Sequence, residues 1–386
     1  DFPRRVILFH GSNAQGKTTI LEAAAFLALF TSFSASSDRQ LVNFNLAEAE
    51  PIKVARIIGE FSRAGRKNTL EVRLILEPNG AEGSLRLRKE ALLNGVSRRF
   101  SELYGQFNAV SFLPQMSKII EGSPSDRRRY MDEILCQIEP GYSKHLLKFN
   151  QAITRRNALL KRLGEVGGSS DQLDPWDSLL AEHGSFLIKG RIDLIKELGS
   201  FARESHNQLT EGKEVLRLDY QPSFDPIQPK SGQISLPVDS VIDRTGLDAK
   251  EIEHAFGHEL RQRHRKDIQR GSTSKGPHRD ELRFLANQID LGDFGSRGQT
   301  RTALLSLKFA EVGLMKARSG EWPVLLLDEV MAELDPLRRA ALMSLLEKVE
   351  QALVTTTDVE MFEPGFLANH EVWNVKQGIV SQVNPL

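Results

Sequence analysis

The sequence predicts a two-lobed α/β fold in which a helical lobe is inserted into a lobe of strands and helices. Three observations lead to this fold class. The apolar segment Val6–Phe9 and a helix-like segment from Thr19 flank a glycine-rich turn, which is the pattern of a strand–turn–helix unit. A second apolar run, Val324–Leu327, ends in two acidic residues. Between these segments, residues 142–201 carry apolar side chains at a seven-residue spacing, which is typical of packed helices.

The glycine-rich turn has the sequence of a phosphate-binding loop. Residues Gly11–Thr18, GSNAQGKT, match Gly-x-x-x-x-Gly-Lys-[Ser/Thr] in the strand–helix setting that the pattern requires. Backbone N–H groups and the helix N-terminus bind phosphate in such a loop, whereas an ordinary glycine turn would not need the Lys-Thr pair. Lys17 is expected to contact the β- and γ-phosphates and Thr18 to hold Mg²⁺. The predicted nucleoside triphosphate site consists of Gly11, Ser12, Asn13, Ala14, Gln15, Gly16, Lys17, Thr18 and Thr19.

The apolar run Val324–Leu327 is expected to deliver the second half of this site. It ends in adjacent carboxylates, Asp328 and Glu329, and a buried strand of an α/β sheet presents such residues at its C-terminal end. Asp328 would support the Mg²⁺ held by Thr18, and Glu329 would orient or deprotonate the attacking water. Two acids that only begin a helix are the alternative, but the upstream phosphate loop favours the catalytic interpretation.

The inserted segment predicts a compact helical hairpin. Two helices of about 20 residues, each about 30 Å long, are expected on either side of the turn 164–170. Arg156 interrupts the apolar series at a core position. Helices that only pack on the core remain the alternative, because three heptads are a weak signal. The apolar positions are Leu146, Phe149, Ile153, Leu160 and Leu163, followed by Leu180, Leu187, Leu194 and Phe201.

The remaining segments predict an antiparallel sheet and a basic helix. Asn68–Leu76 and Ser84–Arg88 alternate apolar and polar residues, as half-buried strands do. A helix over about Asp248–Arg270 ends in a cluster of arginines and lysine. The resulting lobes are a discontinuous phosphate-binding lobe, 1–132 and 271–386, and an inserted helical lobe, 133–270.

Composition limits the classes of function. The chain has 386 residues, 40% hydrophobic and 26% charged, as in a soluble globular protein, and it has no long apolar run that predicts a membrane span. Cys136 is the only cysteine, which excludes an intramolecular disulfide or thiolate metal cluster and fits a reducing compartment. The chain opens at Asp1 without methionine, so a missing N-terminal strand is expected.

Because the formal net charge is zero, any contact with DNA must come from local basic patches. Basic residues on helices suit sequence-independent contact with phosphates, although a solvated helix face explains such charge runs equally well for some of them. For Arg127 and Arg128, contact with DNA or with a partner subunit is weighed evenly against a solvated helix face. The candidates for DNA contact are Arg127, Arg128, Arg155, Arg156, Arg261, Arg263, Arg265 and Lys266.

A short turn upstream of Asp328 resembles the signature motif of ABC-type ATPases. Ser296-Arg297-Gly298-Gln299 precedes the helical stretch Thr300–Ala317, and its usual counterpart is Leu-Ser-Gly-Gly-Gln. Ser296 suits a helix cap, and Gly298 permits close backbone approach. The resemblance implies a head-to-tail homodimer that holds two ATP molecules, in which Ser296, Gly298 and Gln299 contact the nucleotide of the opposite protomer.

Further motifs make the chain resemble the RecF family of ABC/SMC-like ATPases. They run from Val110–Met116 and Ile120–Asp132 to the Gly-Pro-His-Arg-Asp stretch Gly276–Asp280 and the D-loop-like Ala332–Asp335. Gln115 stands where an acidic residue is common in the family, and the resemblance implies a contact with Mg²⁺ and water there. Thr355–Asp358 ends a strand where transporter ATPases carry a switch histidine.

The resemblance implies an α/β fold with an ABC-type P-loop ATPase lobe and an inserted short antiparallel helical hairpin. It implies ATP and Mg²⁺ as cofactors, an ATP-dependent homodimer on double-stranded DNA and single-strand/double-strand junctions, and partners of the RecR and RecO type. The implied role lies in cytoplasmic DNA replication, recombination and the SOS response to DNA damage, with weak DNA-dependent ATPase activity and no membrane. An SMC-like chromosome organiser, a transporter ATPase subunit and a scaffold that holds ATP without hydrolysing it are the alternatives.

Overall fold

The structure, a computed structural model, describes residues 5–43, 52–79, 85–227, 244 and 246–383. It divides the chain into two compact units, one formed by Asp1–Met116 with Glu311–Leu386 and the other by Ser117–Ala310. The predicted lobes, 1–132 with 271–386 and 133–270, divide the chain at other residues and stay a prediction. Asp1, Phe2 and most of the predicted loop 221–237 lie outside the described residues.

Strands and helices are numbered here in chain order. The strands are β1 Val6–His10, β2 Lys53–Arg63, β3 Arg66–Pro78, β4 Leu85–Leu93, β5 Val96–Ser97, β6 Ala109–Phe112, β7 Leu216–Gln221, β8 Glu281–Ala286, β9 Ile289–Asp290, β10 Val324–Asp328, β11 Ala352–Thr356, β12 Glu371–Lys376 and β13 Ile379–Val383. The helices are α1 Lys17–Leu29, α2 Phe100–Leu103, α3 Lys118–Glu121, α4 Pro124–Ile138, α5 Tyr142–Val166, α6 Asp174–Leu209, α7 Ala249–Gln262, α8 His264–Arg270, α9 Leu291–Phe294, α10 Arg297–Ser319, α11 Pro336–Leu346 and α12 Pro364–Asn369.

The first unit is built on a six-stranded sheet in the order β13-β12-β1-β11-β10-β6. The pairs β12–β1, β1–β11, β11–β10 and β10–β6 are parallel, and β12–β13 is antiparallel. Ile7 and Phe9 of β1 pack with Leu21 and Ala25 of α1 in the core of this unit. Because parallel strands end at the same edge of a sheet, the loop after β1 and the acidic residues at the end of β10 lie at that edge. Only β11 separates the two strands.

A second sheet of the first unit, in the order β2-β3-β4-β5, is antiparallel throughout. The predicted strand Asn68–Leu76 lies within β3, and the described part of the predicted Ser84–Arg88 opens β4. Leu70, Val72 and Leu74 alternate into a cluster with Phe26 of α1, which is the packing that the alternating pattern predicts.

The second unit contains the predicted antiparallel helical hairpin, formed by α5 and α6. Its pairing is antiparallel, because the start of α5 at His145 contacts His183 and the later Arg156 contacts the earlier Asp177. The arms have 25 and 36 residues, so the expectation of two equal arms of about 20 was wrong for the second. The predicted series from Leu180 to Phe201 covers only the middle of α6, and Ile192, Ile195 and Ala202 are further buried positions of this helix.

The predicted basic helix over Asp248–Arg270 is divided into α7 and α8. Arg263 forms the joint, with φ −94° and ψ −1°, and caps the end of the first helix and the start of the second. Ile252, Phe256 and Leu260 bury one face of α7, so its basic residues lie mainly on the opposite face.

Candidate nucleotide and nucleic-acid sites

The loop Gly11–Thr18 has the backbone geometry of a phosphate cradle. Gly16 adopts the left-handed region with φ 100° and is the N-cap residue of α1, so no N-cap side chain occupies the first N–H groups of the helix. A Cβ on Gly11 would lie 2.4 Å from the carbonyl oxygen of Val375, so only glycine fits there. The uncapped N–H groups at a helix N-terminus are the donors that phosphate requires, and the residues present therefore fit a triphosphate.

Lys17 lies almost fully buried inside this loop. Its Nζ donates hydrogen bonds to the carbonyl oxygens of Gly11 at 2.7 Å and Ser12 at 3.1 Å. The same ammonium forms an ion pair with Oε1 of Glu329 at 3.0 Å. A phosphate bound on the loop would compete with Glu329 for this ammonium group, because both are anions that pair with it.

Thr18 and Asp328 meet where the sequence places a magnesium ion. The Thr18 hydroxyl donates to Asp328 Oδ1 at 3.0 Å and lies 3.1 Å from Oδ2. The Thr355 hydroxyl donates to Asp328 Oδ1 at 2.7 Å and fixes the carboxylate from the β11 side. A hydroxyl and a carboxylate at one point form an oxygen donor set of the kind Mg²⁺ prefers.

Glu329 has a constrained backbone and a second partner. It adopts φ 53° directly after β10, a left-handed conformation that is uncommon for a residue other than glycine. Its N–H donates to Thr355 Oγ1 at 3.1 Å, and its Oε2 accepts from the N–H of Thr357 at 3.1 Å. The stretch Thr355–Asp358 therefore orients both Asp328 and Glu329. The sequence indicated this stretch only as the place where transporter ATPases carry a switch histidine.

Two residues near the C-terminus also support the phosphate loop and were missed in the sequence. The N–H of Gln377 donates to Gln15 Oε1 at 2.8 Å, and the N–H of Gly378 donates to the Gln15 carbonyl at 2.9 Å. Their only signal in the sequence is a Gln-Gly turn between two short apolar strands. Gln115 follows β6, the neighbour of β10, in the short turn Pro114–Ser117, and its contact with Mg²⁺ stays a prediction.

The signature-like turn lies in the second unit at the start of α10. The N–H of Gln299 donates to Ser296 Oγ, and the N–H of Ser296 donates to Gln299 Oε1, both at 3.2 Å. This reciprocal cap confirms the capping role predicted for Ser296. Ser296, Arg297 and Gly298 are exposed, and the neighbouring Phe294 has 78% of its surface exposed.

The structure corrects one of the residues predicted to contact DNA. Arg156 is fully buried between α5, α6 and α8, where it forms ion pairs with Asp177 at 2.7 Å and Asp267 at 2.8 Å. It also donates to Thr273 Oγ1 at 2.9 Å. Its break in the apolar heptad marks a buried ion-pair network, so its guanidinium is not available to a phosphate.

The other basic candidates differ in whether their side chains already bind other residues of this chain. Arg127 binds Glu281 through two hydrogen bonds, and Arg128 donates to the carbonyl oxygen of Asp280 at 2.8 Å. The Glu281 carboxylate raises the pKa of Arg127, whereas burial lowers that of Arg128. Arg263 pairs with Glu259 on the same helical segment. The exposed candidates are Arg155, Arg261, Arg265 and Lys266.

His278, in the Gly-Pro-His-Arg-Asp stretch, carries the clearest pKa shift among the described histidines. Burial lowers its pKa from 6.5 to about 4. Its Nε2 lies 3.1 Å from the Thr273 carbonyl oxygen, so this nitrogen carries the proton of the neutral ring. The neutral histidine thus belongs to the packing of the second unit.

Known proteins are similar to this chain over nearly its whole length. The family described as RecF/RecN/SMC N terminal domain matches residues 1–381. The chain is 33% identical to the DNA replication and repair protein RecF of Natranaerobius thermophilus, over 100% of this chain and 94% of that protein. It is 36% identical to RecF of Chloroflexus aurantiacus, over 97% and 93%. A solved structure of the recombination mediator RecF-ATP of the RecFOR pathway is similar, with a TM-score of 0.81 at 30% identity over 100% of this chain and 93% of that chain.

The fold and the nucleotide loop define an ABC-type P-loop ATPase head with an inserted helical hairpin, as the sequence predicted. Within that class, the family model and the relatives that match over nearly their full length identify the family. The chain belongs to the RecF family. Among the described residues, no helix is long and apolar enough to cross a membrane.

Proposed function

We propose that this protein is an ATP-switched DNA-binding protein of replication and recombinational gap repair. The observation that carries the proposal is the convergence of Lys17 and Thr18 with Glu329 and Asp328 at one edge of the first unit's sheet. The relatives named as DNA replication and repair proteins, and the similar RecF-ATP structure, support the same assignment. In this proposal, ATP closes a homodimer on DNA and slow hydrolysis reopens it.

In the nucleotide site, Thr18 and Asp328 would hold Mg²⁺ and the loop N–H groups would hold the phosphates. The metal, when bound, neutralises charge on the phosphates. Lys17 exchanges its Glu329 partner for the phosphates, and this exchange releases the Glu329 carboxylate. Held by the N–H of Thr357, Glu329 then accepts a proton from the attacking water.

The signature-like turn supports action on the nucleotide of a second protomer. Ser296 Oγ accepts from the Gln299 N–H, so the hydroxyl proton remains available to donate to a phosphate oxygen. The exposed Phe294 beside this turn is an apolar side chain that a second copy would cover. These two features support an ATP-dependent homodimer in which Ser296, Gly298 and Gln299 act in trans.

The helical hairpin, α7 and α8 supply the proposed contact with DNA. Arg155, Arg261, Arg265 and Lys266 are exposed basic residues of the second unit. Contact through such residues reads phosphates and not bases, so affinity for duplex and for single-strand/double-strand junctions should depend strongly on salt. Partners of the RecR and RecO type, and a cytoplasmic location, complete the proposal on the basis of the RecFOR relatives.

Sedimentation with and without ATP and a gapped duplex tests the proposal. The wild-type chain is expected to shift from monomer to dimer with ATP, and Lys17→Ala to remain monomeric because the loop loses its phosphate-binding cation. Lys348→Ala, an exposed lysine of the first unit, is the control. An ATP-independent dimer in both variants would contradict the ATP sandwich, and a monomer that hydrolyses ATP would contradict the clamp.

A further inference from the structure

We infer that Glu214 is a positioning residue for the signature-like turn. One carboxylate joins the Gln299 side chain of that turn to His206, in the last turn of the long helix α6. The inference rests on the proposed function, because the turn acts on nucleotide only in the proposed dimer. Glu214 lies between α6 and β7, outside every motif that the sequence indicated.

The contact with Gln299 fixes the orientation of its amide group. Gln299 Nε2 donates to Glu214 Oε1 at 2.9 Å, while its Oε1 accepts from the N–H of Ser296. A carboxylate only accepts hydrogen bonds, so it selects the NH₂ side of the amide and leaves the oxygen for Ser296. The charged acceptor also makes this bond stronger than a neutral one. Glu214 therefore holds the Ser296–Gln299 cap in one arrangement.

The other oxygen of Glu214 is anchored to a buried group. His206 is fully buried, with Nε2 3.3 Å from Glu214 Oε2 and Nδ1 3.0 Å from Ser306 Oγ of α10. Because the carboxylate only accepts, Nε2 carries a proton toward it. The Thr210 hydroxyl donates to the His206 carbonyl at 2.8 Å, so the chain leaving α6 stays close to the helix end. The anchor therefore joins the last turn of α6 to α10.

This arrangement ties the signature-like turn to the helix that forms one arm of the hairpin. The connection runs from Gln299 through Glu214 to His206, with no other side chain between them. A shift of the C-terminal end of α6 would therefore reach the turn through one carboxylate. Conversely, loss of this carboxylate would leave the Gln299 amide and the His206 ring without the acceptor that they share.

Glu214→Gln tests the inference, because the neutral amide removes the charge and one of the two acceptor oxygens that join Gln299 to His206. The dissociation constant of the ATP-dependent dimer is expected to rise about tenfold, as for loss of a hydrogen bond to a charged group. Binding of a fluorescent ATP analogue to the monomer should stay at the wild-type value. Glu211→Gln is the matched control, since Glu211 lies three residues away, is exposed and pairs only with the exposed Lys213 among the contacts of the described residues.

A double-mutant cycle separates positioning from a general structural effect. Gln299→Ala should weaken the dimer less in the Glu214→Gln background than in the wild type, because the shared contact is already lost. Additive effects, or a wild-type dimer constant in Glu214→Gln, would overturn the inference alone. A wild-type chain that does not dimerise with ATP would overturn the proposed function and this inference with it.

Discussion

At the scale of single residues, the Glu329 side chain binds two partners at once. The carboxylate holds the lysine of the phosphate loop and, through Oε2, the N–H of Thr357. A carboxylate that leaves its ammonium partner is free to contact a water molecule. In the proposed function, the same contact thus links occupation of the loop by phosphate to the release of Glu329 for hydrolysis.

Glu329→Gln is expected to keep ATP binding and dimer formation but to lower the hydrolysis rate by about 10²-fold, since the amide cannot accept the proton of water. Phosphate release and sedimentation on a gapped duplex measure the two effects. Glu347→Gln, at an exposed acidic residue at the end of α11, should hydrolyse ATP at the wild-type rate. Unchanged turnover in Glu329→Gln would remove this residue from the proposed role.

His278 predicts a dependence of stability on pH. Its pKa is about 4 in the folded chain and 6.5 in the unfolded chain, so its contribution is present above pH 6.5 and is lost as the pH falls toward 4. The shift corresponds to about 3 kcal/mol. Urea unfolding of His278→Asn between pH 7 and pH 4.5 should show a smaller loss of stability than the wild type. The exposed His254→Asn is the control, and an identical pH profile in both variants would refute the assignment.

At the scale of elements, α7 and α8 combine a buried apolar face with exposed arginines near their joint. Reversing Arg261 and Arg265 to Glu should make the slope of log affinity against log salt shallower by about 2, because two phosphate contacts are lost. Fluorescence anisotropy on a duplex at several salt concentrations measures the slope. Reversing the exposed Arg66 and Lys348 gives the same change in charge on the first unit. Equal slopes in the two double variants would argue against this basic surface.

The sequence predicted the elements whose signals are local. The strand–loop–helix around Gly11–Thr18 and the alternating strand β3 follow from hydrophobic period and glycine positions, and both are present. Arg156 shows the limit of local reasoning, because its partners Asp177 and Asp267 come from other helices. The roles of Thr357, Gln377 and Glu214 depend likewise on contacts between residues distant in the chain, which spacing alone does not reveal.

At the scale of the whole molecule, the second unit occupies a continuous stretch, Ser117–Ala310, whereas the first is assembled from both ends of the chain. The nucleotide loop belongs to the discontinuous unit, and the signature-like turn belongs to the continuous one. The proposed hydrolysis of ATP by a dimer would therefore require both units to be folded, although each has its own core.

The position of β1 in its sheet has a consequence for synthesis on the ribosome. β1 is translated before the continuous unit, but its two neighbours, β11 and β12, are translated after it. The phosphate loop of the nascent chain therefore lacks its flanking strands until the continuous unit has been translated. Release of a chain that stops before residue 352 would yield a polypeptide with the GSNAQGKT sequence but without the sheet that shapes it.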